Sequence, residues 1–81
     1  MNFKIFISKS DKNFEFADLV KLLMQLEFEI RIKGSHHIFK KKMFDEIINL
    51  QPLNNNKAKP YQVKQVRRIL LKYKLIMNEE F

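Results

Sequence analysis

His36 and His37 stand side by side after Gly34 and Ser35, and they are the only imidazoles in a chain of 81 residues. Imidazole takes up and releases protons near neutral pH, so an accessible one is a candidate general acid or base. Other chemistries fail on residue type or spacing. The chain has no cysteine, which removes disulfides, thiolate metal sites and cysteine nucleophiles. Neighbours on a strand point to opposite faces, so His36 and His37 do not chelate one metal, and Asp45 and Glu46 are too few to complete a site. Ser35 and His36 diverge in the same way and make a poor nucleophile–base pair. No carboxylate pair of the glycosidase kind stands out. A single glycine cannot line a glycine-rich phosphate cradle. A histidine working alone beside cations is what remains.

Strand parity separates the two rings. Phe39 is the residue that must be buried, and His37 shares its parity. His36, Ile38 and Lys40 then fall on the open face, so His36 is accessible and His37 packs at an edge. A base beside a cationic surface suits an RNA phosphodiester. Its 2′-hydroxyl loses a proton and attacks the adjacent phosphate, while lysines hold the charge that develops. By composition alone, a histidine pair in a strand is more often a plain structural feature than a catalytic one.

The cations are unevenly placed. Sixteen Lys and Arg against nine Asp and Glu leave a net charge of +7. Residues 1–27 are neutral overall. Residues 28–44 hold Arg31, Lys33, Lys40, Lys41 and Lys42 against Glu29, and residues 57–77 hold seven cations and no acid. A surface built only for solubility mixes its signs, so this pattern points to an acidic partner. Nucleic acid, an anionic membrane and an acidic protein all qualify. Membrane binding is disfavoured because the apolar helix faces are needed for the core.

The elements that position these residues follow from periodicity. Phe16, Leu19, Val20, Leu23 and Leu26 share one helical face, predicting a helix over 14–26, with a turn and cap in Ser10–Asn13. Phe28, Ile30 and Ile32 alternate with Glu29, Arg31 and Lys33, predicting a half-buried strand. Residues 36–42 and 46–51 read as a second and a third strand, with 43–45 as a loop. Short connections imply an antiparallel meander. Pro60 opens a second helix over about 60–74, whose stripe is Val63, Val66, Ile69, Leu70 and Tyr73. Lys64, Arg68 and Lys72 form a like-charged row on its far side, destabilising by about 0.2–0.5 kcal/mol per neighbouring pair unless an anion offsets it. Lys57 and Lys59 precede this helix and, with its free N–H groups, mark a phosphate site. The segment 2–7 fits a strand or a helix equally. The fold class expected is α+β, in the order α-β-β-β-α: a three-stranded antiparallel sheet with two helices on one face, like a double-stranded-RNA-binding domain. An N-terminal extension over 1–13 and a tail over 78–81 flank one domain over 14–77. A core this small buries roughly 60–65% of the unfolded surface, so stability is modest.

The string Lys33-Gly34-Ser35-His36-His37-Ile38-Phe39, set between an amphipathic helix and a third strand, resembles the HicA family of toxins. So do the segments 46–52 and 57–67, and the resemblance runs from about Phe14 to Leu75. It implies metal-independent cleavage of mRNA without a cofactor, and neutralisation by a HicB-type antitoxin in a hetero-oligomeric complex. The family's catalytic histidine follows the Gly-Ser turn, which carries over to His36, with Gly34, Ser35 and His37 as motif turn and support. Lys33, Lys40, Lys57, Lys59, Lys64 and Arg68 are the candidate RNA contacts. The family often has glycine just after the first helix, where this chain has Glu27. A non-catalytic RNA-binding module and a basic protein-interaction subunit are the competing readings. No apolar run approaches the ~20 residues of a membrane span, and Met1–Ile7 is too short and too broken by Lys4 for a signal peptide. A cytoplasmic location is therefore the expectation.

Overall fold

The computed structural model describes residues 12–76. The alternatives for segment 2–7, most of the N-terminal extension and the tail over 78–81 lie outside the described residues. Five elements follow in the expected order: α1 (Phe16–Gln25), β1 (Glu29–Lys33), β2 (His36–Lys40), β3 (Ile48–Leu50) and α2 (Pro60–Lys72). The sheet is an antiparallel meander in the order β1-β2-β3. Its register sets Ile30 against Phe39, Lys33 against His36, and Phe39 against Ile48.

One face of the sheet makes the core. Phe39, Ile48 and Leu50 are fully buried against Leu19, Leu22 and Leu23 of α1 and Val63, Val66 and Leu70 of α2. Each such side chain contributes about 1.5–3 kcal/mol on leaving water. The intervening residues Glu29, Arg31, Lys33, His36, Lys40 and Asn49 are exposed. Both helices therefore cover one face and leave the other open. The β1–β2 connection is the two-residue turn Gly34-Ser35, with φ +61° at Gly34 alone, the sign pattern of a II′ turn. A Cβ on Gly34 would meet nothing within 4 Å, so glycine is required there by backbone conformation and not by space.

Several boundaries differ from the periodicity, each for a non-local reason. The first helix starts at Phe16, with Glu15 at the N-cap position and no side-chain hydrogen bond from it to the helix. Before it, the chain pairs with residues 56–58: the Ala58 N–H donates to the Phe14 carbonyl (2.7 Å) and the Phe16 N–H to the Asn56 carbonyl (3.1 Å). β2 stops at Lys40, and the Nζ of Lys41 turns in to the Leu26 carbonyl (2.7 Å) at the end of α1. β3 is only three residues long. The 41–47 connection is instead pinned by Phe44, stacked on Tyr73 (centroids 4.3 Å apart) and edge-on to Phe28 (6.3 Å). Ile32, expected inside, is 60% exposed. It lies beside the hairpin turn on β1, which among the described residues has a neighbouring strand on one side only.

Both helices end in the same left-handed motif. After α1 the Glu27 N–H donates to the Met24 carbonyl (3.0 Å) and the Phe28 N–H to the Leu23 carbonyl (3.1 Å). After α2 the Lys74 N–H reaches Leu71 (3.1 Å) and the Leu75 N–H reaches Leu70 (2.9 Å). These are Schellman caps, whose positive-φ position favours glycine. Here that position holds Glu27 (φ 67°) and Lys74 (φ 58°). A side chain in that region costs about 1–2 kcal/mol, and Glu27 also sets a negative charge at the negative end of α1. Glu27→Gly should therefore stabilise the protein by about 1 kcal/mol net of the added unfolded-state entropy, raising the melting temperature by roughly 4–8 °C. An unchanged or lower midpoint in thermal denaturation would refute the strain at this cap.

Candidate functional site

His36 is the first residue of β2, on the open face beyond the glycine turn, and it is exposed. Its Nδ1 lies 3.3 Å from Oδ1 of Asn49. Asn49 sits between the buried Ile48 and Leu50, so strand alternation turns it outward beside His36. An acceptor oxygen opposite Nδ1 favours the tautomer with the proton on Nδ1, which leaves Nε2 with the basic lone pair. His37 occupies the other face. Its Nδ1 is 3.1 Å from the Ser35 carbonyl, and its ring meets Phe16 edge-on at 4.8 Å. The two histidines divide as parity predicts, one open and one packed at the edge of the core.

A cleft of about 270 Å³ opens beside His36, lined by Asn49, Gln51, Lys59, Tyr61, Gln62 and Gln65 as well. It bridges the sheet and the first turns of α2. Gln62 holds this junction together. Although polar, it is 7% exposed. Its Oε1 accepts the Gln51 N–H (3.2 Å), and its Nε2 donates to the Tyr61 hydroxyl (3.5 Å). A second groove of about 470 Å³ runs along the outer side of α2, lined by Tyr61, Lys64, Gln65, Arg67, Arg68 and Leu71. The two depressions share Tyr61 and Gln65. The imidazole and the basic row of α2 therefore lie on either side of these two residues.

The expected site residues fall into three groups. His36 and Lys59 share the cleft, while Lys64 and Arg68 line the neighbouring groove. Gly34 and Ser35 form the turn that presents His36, and Lys33 is its cross-strand partner. Lys40 lies on the same face at the far end of β2, roughly 13 Å along the strand. Lys57 is elsewhere, in an ion pair with Glu15 (2.5 Å). Lys72, the third member of the basic row, pairs with Glu46 (3.3 Å). The start of α2 offers fewer free amides than a helix start usually does. Pro60 has no N–H, and those of Gln62 and Val63 go to the Lys59 carbonyl. The Lys59 ammonium is the positive group at that end.

Asn49, Gln51, Tyr61, Gln62 and Gln65 line the cleft but are not among the site residues expected from the sequence. Alternation about Ile48 and Leu50 was a usable signal for Asn49. Tyr61 and Gln65 are one helical turn apart and flank the Lys64–Arg68 row, which was a weaker one. Among the described residues no cluster of three or more His, Cys, Asp or Glu is arranged to hold a metal ion. No described helix is long and apolar enough to cross a membrane.

A family model described as "HicA toxin of bacterial toxin-antitoxin" matches residues 16–72, the span from the first residue of α1 to the last of α2. No curated protein and no solved structure shows a significant match to the chain.

Proposed function

Because the chain belongs to the HicA toxin family of toxin–antitoxin systems, we propose that it is an endoribonuclease that cuts mRNA by a histidine-dependent, metal-independent route. The observation that carries this reading is the cleft that holds His36 and Lys59, beside a groove lined by Lys64 and Arg68 that shares Tyr61 and Gln65 with it. Nε2 of His36 removes the proton from a ribose 2′-hydroxyl. The freed oxygen attacks the neighbouring phosphorus, and the bond to the 5′-oxygen breaks as that oxygen takes a proton from solvent water. Lys59 offsets the extra negative charge on the phosphate as the five-coordinate transition state forms. His37, on the opposite face, is not placed to supply the leaving group's proton. Lys64 and Arg68 hold the flanking phosphates, a contribution that weakens with salt as counterions compete.

The same reading assigns the partner and the compartment. A HicB-type antitoxin would lay an acidic surface over His36 and the basic face of the sheet, closing the cleft to RNA. The toxin acts where mRNA is, in the cytoplasm. Incubating the purified chain with mRNA in a chelating buffer should yield fragments ending in 2′,3′-cyclic phosphate and 5′-hydroxyl groups. Intact RNA, or fragments ending in 3′-hydroxyl and 5′-phosphate, would reject the route.

A further inference from the structure

Tyr61 is 66% exposed, although most aromatic rings here are hidden. Among the described residues Phe14, Phe16, Phe28 and Phe39 are buried, and Phe44 and Tyr73 are half-buried and stacked on each other. Tyr61 is also the aromatic residue shared by the His36 cleft and the basic groove. Its hydroxyl accepts from the buried Gln62, whose other end accepts the N–H of Gln51 just after β3, so the ring is held at the junction. Cations flank it on both sides. Lys59 precedes it by two residues, and Lys64 and Arg68 follow at roughly 4–5 Å and 10 Å along the helix axis.

Alternating positive groups and an open aromatic face match a single nucleic-acid strand. The phosphates take the cations, and a base takes the ring whatever its identity, because every base has a π-face. We propose that Tyr61 is a base-stacking platform on which the nucleotide next to the scissile phosphate lies unpaired. The inference rests on RNA being the substrate of the His36 cleft, and adds to it that the strand must be single at this point. A base lying on Tyr61 has left its duplex partner. Although the fold is that of a double-stranded-RNA-binding domain, the cleft thus selects unpaired RNA.

The test uses short 2′-O-methyl RNA, which lacks the attacking hydroxyl, so binding is read without cleavage. A single strand carrying bases is compared with an abasic strand of equal length and charge, and with a duplex. The full-length chain should bind the base-bearing strand about tenfold more tightly than the abasic one. Tyr61→Ala should abolish that preference while leaving affinity for the abasic strand within about twofold, since the cations are untouched. Tyr61→Phe keeps the π-face and loses only the 3.5 Å hydroxyl bond to Gln62, so it should retain most of the preference. Circular dichroism of the variants verifies the fold, which an exposed ring does not support. A base preference that survives Tyr61→Ala, or a duplex that competes as well as the single strand, overturns the platform. Failure of the chain to bind either strand overturns the platform and the RNA reading together. Base preference lost in Tyr61→Ala, with undiminished cleavage in His36→Ala, would keep the platform and sink only the catalytic role of His36.

Discussion

His36→Ala should slow RNA cleavage by about 10²- to 10⁴-fold, the range that a positioned general acid or base supplies. The fold should survive, because the ring is exposed and its contact is the surface hydrogen bond to Asn49. A surface change of this kind moves stability by no more than about 0.5 kcal/mol. RNA binding should also persist, since Lys59, Lys64 and Arg68 remain. Three measurements on the same sample give the answer: cleavage rate, denaturation midpoint and affinity for uncleavable RNA. A wild-type rate in the variant would move the chemistry away from this imidazole. An inactive wild type that still binds RNA through the three cations would favour the RNA-binding module instead. In cells, the variant should lift the growth arrest that the wild type causes.

Phe39→Ala should cost about 3–5 kcal/mol, the usual range for emptying a buried phenylalanine site. Phe39 is fully buried at the centre of the sheet, paired with Ile30 on one side and Ile48 on the other. A chain of this size has roughly 4–12 kcal/mol of stability to lose. The variant should therefore lose from about a quarter to the whole of that stability. Phe39→Leu keeps most of the volume and should cost distinctly less. Urea denaturation separates the two variants, and a loss below about 1 kcal/mol for Phe39→Ala would show that the core closes over the gap. The consequence reaches the cleft as well. Phe39 is three residues from His36 and points the opposite way. Its burial keeps β2 from slipping by one residue, a slip that would turn His36 inward.

That coupling explains why part of the site could be read before any fold was known. A strand has a period of two, so burying Phe39 sends His36 outward and His37 inward without reference to the rest of the chain. The same local logic placed both helices, the glycine turn and the open basic face. The resemblance to a family in which glycine often follows the first helix also marked position 27, which proves to be a left-handed cap occupied by Glu27.

Local periodicity says which way a side chain points and is silent on what it meets. Ile32 has the pattern of a core residue, yet beside the hairpin turn it stays in solvent. Lys57 and Lys72 look like free cations in a one-signed run, but Lys57 pairs with Glu15, 42 residues away, and Lys72 with Glu46, 26 away. The cleft itself arises only when α2 docks beside the end of β3 and the buried Gln62 joins them, bringing Tyr61 and Lys59 up to a histidine more than twenty residues earlier in the chain. The order of elements, the outward imidazole and the excess of positive charge were determined by the amino-acid sequence, because each depends on neighbours within one turn or one strand. The choice of which cations stay free, and the building of a cleft around His36, belonged to the tertiary structure, because both depend on distant segments meeting as the core closes.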